Sequence, residues 1–130
     1  MIALDTSLLA RLLLQDDAGQ YGKVKALLAT RQVFTAPVTV MQELVWVLES
    51  KNCGSERVSA AMTLLLDLPN FKPEHQDELR EALRNYREGM GFSDALHLAL
   101  SSKQQQFMTF DKAFRHKAKK LGLHPEVALA

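Results

Sequence analysis

Four carboxylates sit where solubilising surface charge explains them poorly: Asp5 in MIALDTS, Glu43 in VTVMQELVWVL, Asp94 in GFSDALHLAL and Asp111 in FMTFDKAF. Each borders or interrupts an apolar run. That predicts a pull toward the interior, where an unpaired negative charge is costly and must be compensated. A hard divalent cation such as Mg²⁺ or Mn²⁺ suits such a set, because it takes oxygen ligands and the cluster offers little else.

Taken singly, three of the four have a simpler explanation. Asp5, Asp94 and Asp111 stand at or beside expected helix starts, where an aspartate serves as a cap or complements the helix dipole. Glu43 has no such role. It lies mid-helix, sharing a face with Val40, Trp46 and Val47, and no Lys or Arg occupies a helical neighbour position. A glutamate turned inward from that face is expected to meet a cation, a hydrogen-bond partner or its own proton.

These residues need elements to hold them. Met1 to Leu4 reads as a buried strand ending at Asp5, followed by helices over Ser7–Leu14 and Gln20–Ala29 and a brief strand at Val33–Thr35. A third helix runs from Pro37 and Thr39 to about Lys51 with Thr39 as its N-cap, and a fourth is capped by Ser55 and stopped by Pro69. Asn70–Lys72 is a weak strand. The charged segment Glu74–Glu88 carries one apolar stripe of Leu79, Leu83 and Tyr86, which places it on the outside of the domain. Ser93 caps a helix that is apolar nearly all round, Phe107–Phe110 forms a strand, and Lys112–Leu121 forms a helix closed by Gly122. A last strand lies within Glu126–Leu129. Short strands alternating with helices predict an α/β domain with a central, mostly parallel sheet flanked by helices. Asp5 and Asp111, each directly after a strand, then lie at the carboxyl rim where ligands bind.

The length of 130 residues suits a single domain spanning 1–130, and the net charge of +1 does not by itself announce a nucleic-acid binder. The distribution of charge says more. After Ser102, Lys103, Lys112, Arg115, Lys117, Lys119 and Lys120 are opposed only by Asp111 and Glu126, a local basic region beside one of the four acids. A solvated helix face is the plainer account of it. Cys53 is the only cysteine, which excludes an internal disulfide and a cysteine-based zinc site. The N-terminus has no basic stretch before its apolar residues, and no apolar run approaches the roughly 20 residues that span a bilayer, so a cytoplasmic protein without a membrane association is expected.

LDTSLLARLL, Glu43 within an apolar helix, SDALHLAL and MTFDKAF come in the order and at about the spacing found in PIN-domain ribonucleases. The chain resembles most the VapC toxins of bacterial toxin–antitoxin pairs, over essentially its whole length. The resemblance implies a PIN-like fold, a Mg²⁺- or Mn²⁺-dependent endoribonuclease activity on RNA, inhibition by a small VapB-type antitoxin, and a homodimer. It also implies that Asp5, Glu43, Asp94 and Asp111 form the acidic quartet, with Asp5 and Asp94 the surest metal ligands. Many relatives carry another acid three residues before the equivalent of Asp94. Here that position is Gly91, which weakens the case for a second firmly held metal and leaves the quartet complete.

Carboxylates holding such a metal can lower the pKa of a bound water and neutralise charge on a scissile phosphodiester, leaving a 5′-phosphate and a 3′-hydroxyl. Thr6 and Thr109 adjoin two of the acids, either to bond carboxylates or metal waters or to be satisfied by nearby backbone. His97 reads as a core histidine, since a hard metal does not need imidazole. Lys112 and Arg115 are candidates to hold RNA phosphates near Asp111. Two other classes compete. A phosphoacceptor receiver domain would need adjacent acids after the first strand, whereas Asp5 is flanked by Leu4 and Thr6 and Glu43 has no role there. A PIN-like module that binds RNA or protein without cleaving would be favoured by loss of an acid, and none is lost.

Overall fold

A computed structural model describes residues 1–130 as two compact units, Met1–Gln76 and Asp77–Ala130. In the first, β1 (Ile2–Ala3) runs parallel to β2 (Phe34–Thr35), with Ile2 opposite Phe34 and Ala3 opposite Thr35. The chain between them forms α1 (Thr6–Leu14) and α2 (Ala18–Leu28). Gln15, at φ 54°, ends α1 in the left-handed region while its N–H donates to the Arg11 carbonyl. Asp17 starts α2 by accepting from the Gln20 N–H at 3.0 Å.

Phe34 is the hub of this unit. Its side chain is fully buried, its N–H donates to the Asn70 carbonyl and its carbonyl accepts from the Lys72 N–H, both at 2.8 Å. The weak strand expected at 70–72 is thereby reduced to a single parallel bridge between Phe34 and Phe71. α3 (Val38–Ser50) and α4 (Ser55–Leu66) complete the unit. α3 buries Met41, Leu44, Val45 and Leu48, the i, i+3, i+4, i+7 spacing of one helical face, and packs against α1 and α4.

The second unit begins within α5 (Gln76–Arg87), whose strongly polar sequence buries one stripe of Leu79, Ala82, Leu83 and Tyr86, as its spacing predicts. α6 (Phe92–Leu100) buries Phe92, Ala95, Leu96, Leu98 and Ala99, and the Phe92 ring meets Tyr86 edge-on at 5.7 Å. β3 (Gln106–Thr109) then pairs in parallel with β4 (Glu126–Leu129) along its whole length, and α7 (Lys112–Lys120) forms the crossover between them. α7 buries Phe114 and Ala118, whereas Leu121 lies past the helix end and is half-buried. Gly89 after α5 has φ +101°, a backbone conformation that residues other than glycine rarely adopt.

Helices alternating with parallel strands make this an α/β fold. The parallel pairing expected of one central sheet falls into two two-stranded pairs, one in each unit. Helix starts also depart from expectation. Pro37, Gly54 and Gly91 hold the cap positions assigned to Thr39, Ser55 and Ser93, and none of them caps through a side chain. At α3 the reason is tertiary: the Val38 N–H donates to Glu74 Oε1 at 3.2 Å, so a carboxylate distant in sequence replaces the local cap. No helix is long and apolar enough to cross a membrane.

Candidate functional site

The site in the first unit starts with the turn from β1 into α1. Leu4 is tied to β2 by its N–H donating to the Thr35 carbonyl at 2.8 Å, and the next residue, Asp5, is the N-cap of α1 in an extended conformation. Asp5 Oδ1 accepts from the Thr6 N–H at 2.8 Å, and Oδ2 lies 3.5 Å from the donating Ser7 hydroxyl. The capping reading therefore holds for Asp5. A carboxylate with one short hydrogen bond still has lone pairs for a cation.

α3 packs on α1 and carries Glu43 to the same place. Asp5, Thr6, Glu43, Val47 and Lys51 all line one pocket of about 420 Å³. Residues 38 positions apart in sequence are thus brought together by helix packing. The Glu43 carboxylate makes no hydrogen bond or ion pair.

The expectation of buried acids is corrected here. Asp5, Glu43 and Asp111 are exposed and Asp94 is half-buried, so no interior charge demands compensation. For Glu43 the reason is the helical period: Val40, Trp46 and Val47 do share its face, but the opposite stripe from Met41 to Leu48 faces the core. Trp46 is left 68% exposed.

Two features of the pocket go beyond the four acids. Thr6 is 6% exposed and its Oγ1 has no hydrogen-bond partner, contrary to a hydroxyl satisfied by nearby backbone. An orphaned hydroxyl costs roughly 1–3 kcal/mol, so Thr6→Val is expected to stabilise the protein by about 1 kcal/mol, read as a higher denaturant midpoint. An unchanged midpoint would mean that the hydroxyl is satisfied in solution. The second feature is Lys51, an exposed ammonium with no ion pair, whereas Arg11 in the same pocket is held by Asp16 at 2.9 Å. Lys51 lies eight residues after Glu43, close to two helical turns, a spacing from which it was legible in the sequence.

In the second unit, Asp94 stands in the first turn of α6, with no partner for its carboxylate. A Cβ at Gly91 would lie 3.8 Å from Asp94 Oδ2, so position 91 does adjoin this acid and has room for a side chain. Asp111 is the N-cap of α7, its Oδ1 accepting from the Phe114 N–H at 3.0 Å. Its own N–H donates to the Thr109 hydroxyl at 3.1 Å, which accounts for Thr109 by local backbone. His97 is exposed rather than in the core, its ring stacked on Phe107 at 6.5 Å. Lys112 and Arg115 are exposed on α7 and unpaired.

A hard cation is compatible with the pocket of the first unit. Mg²⁺ keeps several waters and is commonly bound by one or two carboxylates, which Asp5 and Glu43 provide. No cluster of three or more His, Cys, Asp or Glu side chains suited to a metal ion is formed.

The family model of the PIN domain matches residues 2–120. The chain belongs to the PIN-domain family. PIN domains are generally nucleases, that is, hydrolases of phosphodiesters. Comparison with curated proteins gave no match. All four acids of this PIN domain, and both features of the pocket, lie within the matched residues.

Proposed function

We propose that this PIN domain is a Mg²⁺- or Mn²⁺-dependent endoribonuclease and the toxin of a VapC-type toxin–antitoxin pair. The observation that carries the proposal is the meeting of Asp5 and Glu43 in one pocket, with the Glu43 carboxylate unpartnered and an orphaned Thr6 hydroxyl beside them.

Asp5 and Glu43 would hold the metal, which when bound would supply a water of lowered pKa and positive charge against the scissile phosphate. The Lys51 ammonium, exposed and without an ion pair, attracts the phosphate. From the sequence motifs, Asp94 and Asp111 are proposed as the other two metal-binding acids of the quartet, Asp111 also capping α7. Lys112 and Arg115 bind phosphates of the RNA. Attack by water with departure of the 3′ oxygen leaves a 5′-phosphate and a 3′-hydroxyl.

The same reading makes 1–130 a single working PIN domain of the cytoplasm, a small VapB-type protein its inhibitor and a homodimer its assembly. Leu64, 69% exposed on α4, supports the last of these as an apolar contact still available.

Purified protein incubated with single-stranded RNA tests the activity. Cleavage is expected with Mg²⁺ or Mn²⁺, none in EDTA, and recovery when the metal is returned. Product ends should carry a 5′-phosphate. A 2′,3′-cyclic phosphate, or cleavage indifferent to EDTA, would show that the ribose hydroxyl is the nucleophile and overturn the metal reading. Binding of RNA without cleavage under any metal would leave a non-catalytic PIN-like module.

A further inference from the structure

Among six Phe, two Tyr and one Trp, only Trp46 and Phe110 are exposed, and Phe110 is the more so at 87%. A phenyl ring left in water forgoes the stabilisation that burial brings, so folding does not explain it. Its position is also fixed. Thr109 before it accepts from the Ala130 N–H at 2.9 Å through its carbonyl and from the Asp111 N–H through its hydroxyl, and Asp111 after it caps α7. The ring is therefore presented from a backbone pinned on both sides.

Its surroundings indicate the ligand. Met108, two residues earlier on β3, is 59% exposed and adds a second apolar side chain close to the ring in sequence. On α7, the exposed Lys112, Arg115 and Lys119 recur at i, i+3 and i+7, one stripe of cations starting two residues from the ring. An aromatic face beside a row of cations is what single-stranded nucleic acid requires, a platform for a base and anchors for its phosphates. A protein partner would also use the ring, but it gives no reason for the row of cations.

We propose that Phe110 is a base-stacking residue, holding one nucleobase of a single-stranded RNA whose backbone runs over Lys112, Arg115 and Lys119. This rests on the nuclease reading and adds to it a residue that positions substrate and selects unpaired RNA over duplex, in which bases are not free to stack on a side chain.

The test uses a short single-stranded RNA containing 2-aminopurine, bound in EDTA so that it stays intact. Stacking quenches the probe. Phe110→Ala is expected to weaken binding about tenfold and abolish the quench at the stacked position, with unchanged circular dichroism. Phe110→Trp should restore both, and Phe110→Leu, which keeps apolar bulk without a π face, should restore neither. Affinity for Phe110→Ala within about twofold of the original protein overturns the proposal, as does full function in Phe110→Leu. A change in oligomeric state at unaltered RNA affinity would reassign the ring to a protein interface. If the original protein cleaves RNA and Phe110→Ala does so equally well, only this inference falls; if it neither binds nor cleaves RNA, the nuclease reading falls with it.

Discussion

Asp5→Asn is expected to lower RNA cleavage by orders of magnitude while leaving the melting temperature almost unchanged. The two effects separate because Asp5 has two roles that need different properties. Capping needs an oxygen that accepts from the Thr6 N–H, now 2.8 Å away, and the amide oxygen of asparagine serves there as well as a carboxylate. Binding a cation needs the negative charge, and asparagine removes it. Asp5→Ala loses both and should in addition cost about 1 kcal/mol of stability through the lost cap. Thermal denaturation alongside cleavage assays of the two variants distinguishes the roles. Equal activity of Asp5→Asn and the original protein would leave Asp5 as a cap alone, and a fall in melting temperature matching the fall in activity would make the loss structural.

Glu43→Gln should show the second large effect, with an even cleaner separation. Glu43 is exposed and unpartnered, so exchanging its carboxylate for an amide of the same shape breaks no contact and should change stability by less than about 0.5 kcal/mol. No stabilisation is expected, because there is no buried charge to relieve. Cleavage should nevertheless fall by orders of magnitude, Mg²⁺ or Mn²⁺ affinity should weaken, and any growth arrest caused by the unpaired protein should disappear. Calorimetric metal titration and a cleavage assay read the outcome directly. A Glu43→Gln protein with full activity and unchanged metal affinity would remove the residue on which the metal site of the first unit depends.

Charge and apolar context single out four acids, but the burial expected of them is not what the structure has. Apolar neighbours in sequence suggest burial. In a helix, neighbours in sequence lie on different faces, and an acid between apolar residues can point to solvent while they point inward. α3 carries two apolar stripes, and the sequence of that helix alone does not choose between them. Packing against α1 and α4 buries the stripe from Met41 to Leu48 and leaves Glu43 and Trp46 outside. The functional interest of Glu43 now lies in its lack of a partner beside Asp5, and of Phe110 in an exposure that composition could not reveal.

What the sequence determined by itself is whatever depends on residues within a turn or two of one another. The alternation of strands and helices, the caps at Asp5 and Asp111, the stop at Gly122 and the buried stripe of α5 all follow from local hydrogen bonding and helical period. Only the tertiary structure decided matters that join distant segments. Glu74 replaces a local cap for α3, Phe34 is tied through both its N–H and its carbonyl to the chain around Phe71, and Asp5 meets Glu43 and Lys51 in one pocket. Such contacts are set by which helix faces pack together. That choice is made by the sum of burial over whole elements, to which no single residue's neighbours in sequence give access.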